Sequence, residues 1–203
     1  MTKKIKIVSG EGNALIVIDG NRDFTDPDGA LYVEGVDGEA STMDIISRIR
    51  LLSYPRPFDY LATTEDKHPK NHIEHAIFGP HCVKGTWGQD IHGDLIDVYD
   101  KADEKLVKGE DPAIISYSIS TSPQFAKHIA KLRKKFIKRI FLVGWAYTHC
   151  VGESAIAYAA QGFEVYVIRN ATASVAPPYG DPEAMTKKLE LYGVKLVNIE
   201  DIE

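Results

Sequence analysis

Three side chains of this sequence stand where an apolar run gives way to polar chain: Asp19 after Ala-Leu-Ile-Val-Ile, Lys108 after Lys105-Leu-Val, and Cys150 shortly after Ile140-Phe-Leu-Val-Gly-Trp. A thiol flanked by a carboxylate and an ammonium can lose its proton to the first and have the resulting charge held by the second. If Cys150 opens a helix, unpaired N–H groups and the helix dipole favour thiolate, predicting a pKa below the ordinary value of about 8.5. Each residue alone has a plainer explanation. A free cysteine packs as a small apolar side chain, a buried aspartate pairs with a lysine, and a lysine usually sits on the surface. Their joint placement at strand ends is what speaks for catalysis.

A second group lies between residues 65 and 95, a segment rich in His, Gly and Pro with little periodicity. A long irregular segment inside a compact domain is usually functional. It carries Asp66, His68, His72, His75 and His81, and imidazole with carboxylate suits zinc, iron or manganese. Asp66 and His68, two apart in extended chain, share a face and can chelate one ion; His81 can close a three-ligand site with open positions. The spacing fits no zinc-finger or His-Glu-x-x-His pattern, so the residues alone leave a metal site and a solvated polar loop both open. Cys82 is an alternative soft ligand, although packing as a small apolar side chain is its simpler role.

A scaffold must hold these residues together, and the apolar pattern describes one. Strand-like runs at 14–19, 58–63, 105–107, 139–144, 163–168 and 195–199 alternate with helical patterns near 39–53, 122–133, 150–161 and 181–192. The alternation predicts an α/β fold, an open, mainly parallel sheet with helices on both faces. Ser122-Pro123 and Asp181-Pro182-Glu183 supply cap and first-turn signals. Ligands of such sheets bind beyond the carboxyl ends of the strands, where Asp19, Asp66 to His68, Lys108 and Cys150 all fall.

With 203 residues the chain reads as a single domain over 1–203 with a substantial core, and no repeat or linker interrupts it. A formal net charge of −5 argues against an electrostatic grip on nucleic acid or an anionic membrane. The basic run at 131–139 reads as the solvated face of a helix end. No apolar run is long enough to span a bilayer. Two cysteines and an N-terminus without the apolar core of a secretory signal point to the reducing cytoplasm.

In their order along the chain, these motifs resemble the isochorismatase-like cysteine hydrolases, and within that family its nicotinamidases. The resemblance runs from Ala14 to about Tyr192: Asp19 with Asp23-Phe24 after it, the run Asp66, His68, Pro69 and His72, then Gly79-Pro-His81 to Gly88, Lys108-Gly109 with Ser116-Tyr-Ser118 downstream, and Gly144-Trp-Ala146-Tyr-Thr-His-Cys150-Val. It implies a triad of Asp19, Lys108 and Cys150. It implies one divalent metal, zinc first and iron or manganese as alternatives, on Asp66, His68 and His81, with His72 as an additional or supporting partner. Phe24, Phe78 and Tyr117 would flank a pyridine ring. A cis peptide between Trp145 and Ala146 would aim the N–H groups of Ala146 and Cys150 at an oxyanion. The implied reaction is hydrolysis of nicotinamide to nicotinate and ammonia through a Cys150 thioester, in a homo-oligomer.

The chain departs from the family pattern in having Gly20-Asn21-Arg22 for Val-Gln-Asn, Phe78 for Trp and Trp87 for Pro. Relatives acting on carbamoyl or maleamate-type substrates share the thiolate chemistry but usually lack the Asp66, His68 and His81 set. A non-catalytic binding protein of this fold would have no need of the triad.

Overall fold

Ala14 to Ile18 are buried and apolar at every position, the signature of a strand covered on both faces. The computed structural model, which describes residues 4–55 and 57–203, places this strand, β1 (Asn13–Ile18), at the middle of a six-stranded sheet. With β2 (Tyr60–Asp66), β3 (Glu104–Lys108), β4 (Arg139–Trp145), β5 (Glu164–Ala173) and β6 (Lys195–Val197), the order is β3-β2-β1-β4-β5-β6 and every pairing is parallel.

The helices among the described residues are α1 (Arg22–Thr25), α2 (Thr42–Ser53), α3 (His75–Phe78), α4 (Ile96–Asp100), α5 (Phe125–Lys134), α6 (Gly152–Ala160) and α7 (Pro182–Leu191). The two-residue period of β1 sends Leu15 and Val17 to one face, where they meet Ile45, Ile46 and Ile49 of α2. Ala14, Ile16 and Ile18 go to the other, against Leu132 of α5, Ala155 and Tyr158 of α6, and Leu189 of α7. Each aliphatic side chain fully buried in this way contributes roughly 1.5–3 kcal/mol relative to exposure. No helix among the described residues is long and apolar enough to cross a membrane.

The α/β class is as expected, and the boundaries differ for local reasons. β2 runs past residue 63 to Asp66, because Thr64 and Asp66 continue the ladder opposite Leu106 and Lys108 of β3. α2 starts at Thr42, since Ser41 caps it by accepting the Asp44 N–H at 3.2 Å. α5 starts only at Phe125: the Ser122 hydroxyl donates to the Val107 carbonyl and accepts the Gln124 N–H, so it fastens the edge strand β3 instead of capping the helix. Asp181 does cap α7, accepting the Ala184 N–H at 2.9 Å. Between β4 and α6 the chain makes a π turn, Tyr147–Val151, so Cys150 lies in that turn rather than on the first turn of an α-helix. After β1 the chain adds β2 and β3 on one side and β4 on the other, and open sheets bind ligands at such a reversal.

Candidate active site

Asp19 follows β1 in the left-handed region, φ 46°, a conformation that non-glycine residues adopt only when their surroundings enforce it. Thr64 of β2 is part of that enforcement: its hydroxyl accepts the Asp19 N–H at 3.0 Å and donates to Asp19 Oδ1 at 2.6 Å. Lys108, at the end of β3 and 1% exposed, puts Nζ 2.9 Å from Asp19 Oδ2, 3.1 Å from Asp66 Oδ1 and 3.5 Å from Cys150 Sγ. The Lys108 ammonium therefore joins Asp19 and Cys150, the two strand-end groups that sequence placed with it, and adds Asp66 to them.

The electrostatics follow from burial. Desolvation pushes Asp19 above the ordinary carboxylate range, against the pull of Lys108, and the neighbouring Asp66 pushes it further. Burial also works against Asp66, yet Lys108 and His68 hold it well below that range. Burial opposes charge on Lys108 too, but Asp19 and Asp66 keep it an ammonium far into the alkaline range. The expected low pKa of Cys150 is not found. Burial drives the thiol well above its ordinary value, Lys108 offsets only part of this, and Asp19, Asp66 and Glu74 add to the rise. The resting group is a thiol beside a carboxylate whose own proton affinity is raised, an arrangement suited to proton transfer during reaction.

On the other side of Asp66, the residues Asp66, His68, Glu74 and His81 each bring one donor atom, all within 4.8 Å of one another. Backbone carbonyls set both imidazoles: His68 Nδ1 donates to Gly109 O at 3.1 Å and His81 Nδ1 to Gly79 O at 2.8 Å, which leaves each Nε2 as a lone pair turned inward. His68 Nε2 lies 3.0 Å from Asp66 Oδ2, two acceptors face to face, repulsive unless a proton or a cation sits between them. Asp66 raises the affinity of His68 for such a proton, against the opposing effect of burial. Asp66 Oδ1 is buried with the Lys108 ammonium as its neighbour, and buried His68 Nε2 faces only carboxylates, Asp66 at 3.0 Å and Glu74 at 3.9 Å. Gly109 leaves room at this point: a Cβ there would lie 2.5 Å from Asp66 Oδ1 and 2.6 Å from the His68 ring. Buried, inward-facing nitrogen and carboxylate donors fit a divalent metal of the zinc, iron or manganese class.

Glu74 was not singled out in the sequence, where it is one carboxylate among several in the segment. It reaches the donor group because it stands just before α3, is 2% exposed, and is fastened by the Ser116 N–H to Oε1 at 2.5 Å instead of capping the helix. His72, expected as an additional ligand or a supporting partner, lies outside the group of four. Its ring stacks on His68 with centroids 3.9 Å apart and its Nδ1 accepts the Glu74 N–H at 3.3 Å, so it supports two of the donors. Cys82 is buried in the core and lies outside the donor group as well.

Phe24, Phe78, Tyr117 and Ala146 line one pocket together with Asp66, Glu74, His81 and Cys150. Phe78 meets Tyr117 edge-on at 6.2 Å between centroids. The peptide between Trp145 and Ala146 is cis. His149 and the apolar Leu31, Val33 and Val175 complete the wall, and nothing in the local sequence marks the last three because loops bring them there. His149 stands edge-on to Tyr117 at 5.0 Å and to Phe78 at 5.6 Å.

The departures at 20–22 and 87 each have a partner. Asn21 pairs with the main chain of Asp66, accepting its N–H at 3.0 Å and donating to its carbonyl at 3.1 Å, which ties the ends of β1 and β2. Arg22 lies over the Trp87 ring, 5.1 Å from its centroid, so two departures contact each other. Gly20 faces Tyr99, its N–H donating to the tyrosine hydroxyl at 2.7 Å.

An isochorismatase domain matches residues 13–201. A nicotinamidase of Acinetobacter baylyi is 30% identical over 200 residues, covering 85% of this chain and 86% of the relative. The crystal structure of PnC1 from L. infantum in complex with nicotinate superposes with a TM-score of 0.82 at 29% identity, covering 97% of each chain. That of the pyrazinamidase of Pyrococcus horikoshii in complex with zinc gives a TM-score of 0.74 at 30% identity, covering 92% of this chain and 99% of that one.

Proposed function

The chain belongs to the isochorismatase family, and on that premise we propose that this amidohydrolase converts nicotinamide to nicotinate and ammonia through a thioester on Cys150. One observation carries the reading: Cys150, with Lys108 and Asp19 behind it, and the donors Asp66, Glu74 and His81, with His68 beside them, line one pocket with Phe24, Phe78 and Tyr117. Similarity to a nicotinamidase and to a nicotinate-bound structure supports the same substrate class.

Asp66, His68 and His81, with Glu74, would hold a divalent metal, zinc in the first place given the zinc complex of a structural relative. Bound there, such an ion supplies a coordination position suited to an aromatic ring nitrogen. The protein's own residues do the rest. Phe24, Phe78 and Tyr117 flank the ring and turn the carboxamide carbon toward Cys150. Asp19 takes the thiol proton as Sγ attacks that carbon, and Lys108 balances the charge between them. The N–H groups of Ala146 and Cys150 stabilise the oxyanion. The C–N bond breaks, Asp19 returns its proton to the leaving nitrogen, and ammonia departs. Water then attacks the thioester with Asp19 again as base, nicotinate leaves, and the proton goes back to Cys150.

Ammonia release from nicotinamide by metal-replete protein, by chelated protein and by Cys150→Ala tests the proposal. The expected pattern is activity in the first alone. Release from aliphatic amides with none from nicotinamide would overturn the substrate, and undiminished activity in Cys150→Ala would overturn the nucleophile.

A further inference from the structure

Asp19 is held on its N-terminal side by Thr64, but its left-handed conformation also needs the following peptide fixed. Tyr99 of α4 does this. Its hydroxyl accepts the Gly20 N–H at 2.7 Å and donates to the Thr64 carbonyl at 2.9 Å, bridging the chain just after Asp19 to the residue that grips the Asp19 carboxylate. Tyr99 is 2% exposed and lies outside the pocket lining, so it reaches the reacting groups only through this bridge. Gly20 makes the approach possible: a Cβ there would lie 3.0 Å from the Tyr99 hydroxyl oxygen and 2.9 Å from Leu95 Cδ1.

We propose that Tyr99 is a positioning residue for this reaction, with Gly20 as its receptor. Its hydroxyl holds the Asp19 carboxylate against Lys108 and Cys150 by fixing the Asp19–Gly20 peptide to Thr64. The proposal rests on the reading of Asp19 as the base that takes the Cys150 proton. Removing the hydroxyl frees the peptide after Asp19 and leaves the Thr64 carbonyl and the Gly20 N–H without this partner. Small misplacement of a catalytic group carries a large kinetic penalty, here expected as about tenfold or more.

The test compares Tyr99→Phe with Tyr60→Phe in the full chain. Tyr60 is likewise a buried residue and its hydroxyl makes a partly buried bond to Glu104 Oε2 at 2.6 Å, at the opposite end of β2 from Asp66, so its variant reports the general consequence of deleting a tyrosine hydroxyl away from the site. Tyr99→Phe is expected to lower kcat about tenfold or more with KM within about twofold, and to change the rate of iodoacetamide alkylation of Cys150 by more than about twofold, because Asp19 bears on the thiol proton. Tyr60→Phe is expected to keep both within about twofold at a comparable shift in urea midpoint. Gly20→Ala should reproduce the kcat loss, and the double variant Gly20→Ala with Tyr99→Phe should lose less than the product of the two. Equal alkylation rates in Tyr99→Phe and wild type, or an equal loss in Tyr60→Phe, would overturn the positioning role. Absence of ammonia release by the wild type would overturn the functional reading alone, because the alkylation comparison needs no substrate.

Discussion

Lys108 is a buried ammonium with Asp19, Asp66 and the Cys150 thiol around its Nζ, and its charge serves both the fold and the proposed chemistry. Lys108→Met fills similar volume but leaves two buried carboxylates without this cation. Breaking a buried pair from one side costs about 3–5 kcal/mol, so urea unfolding should show a loss of that order together with loss of ammonia release. Cys150→Ala separates the two effects. It removes a small side chain and should change stability by only about 1 kcal/mol, while kcat falls roughly 10⁴-fold or more, as loss of a nucleophile does elsewhere. The thiol itself supplies a third expectation. Burial raises Cys150, so its alkylation by iodoacetamide should keep climbing above pH 8 instead of levelling off below pH 7. A plateau below pH 7 would mean a preformed thiolate and would leave Asp19 no proton to take.

The segment after β2 carries most of the proposed metal donors, and its acid sensitivity follows from them. Burial, the largest influence, lowers His81 from 6.5 to about 4, so the folded chain prefers this ring neutral. Stability from His81 is then complete above pH 6.5 and is lost as pH falls toward about 4, in total of the order of 3 kcal/mol. His72 acts in the same direction, and Glu74, raised by burial, offsets part of the loss as it takes up a proton. His81→Gln should flatten the urea midpoint of chelated protein between pH 6.5 and 4.5, whereas a slope equal to wild type would place the proton elsewhere. At this scale the sequence was legible in places. Continuous apolar runs marked β1 and β4 because central parallel strands bury both faces, and the polar residues ending them marked Asp19 and the turn bearing Cys150. Glu74, Val33 and Val175 were not legible, since the turn at α3 and the loops that return them to the pocket have no periodicity to read. The direction of the Cys150 shift was missed for a related reason: a local motif shows the turn that should favour thiolate but not the depth at which the fold buries it.

Taken as a whole, the molecule gathers its chemistry from the ends of four adjacent strands, β3, β2, β1 and β4, while β5 and β6 carry none of the proposed catalytic or metal residues. A divalent ion would connect the end of β2, through Asp66 and nearby His68, to Glu74 and His81 in the following segment, a closure the backbone alone does not make. Because those donors converge only in the folded chain, binding adds to global stability: an ion at a hundred times its Kd contributes about 2.7 kcal/mol. For a chain of this size each kcal/mol moves Tm by about 2–4 °C, so zinc at that saturation should raise Tm by about 5–10 °C over chelated protein. His81→Gln should lose most of that increment, and magnesium, which prefers oxygen ligands in octahedral geometry, should supply little of it. A Tm unmoved by zinc would argue that the His68–Asp66 contact is closed by its proton alone, and the Cys150–Lys108–Asp19 group would then have to act with a substrate positioned only by Phe24, Phe78 and Tyr117.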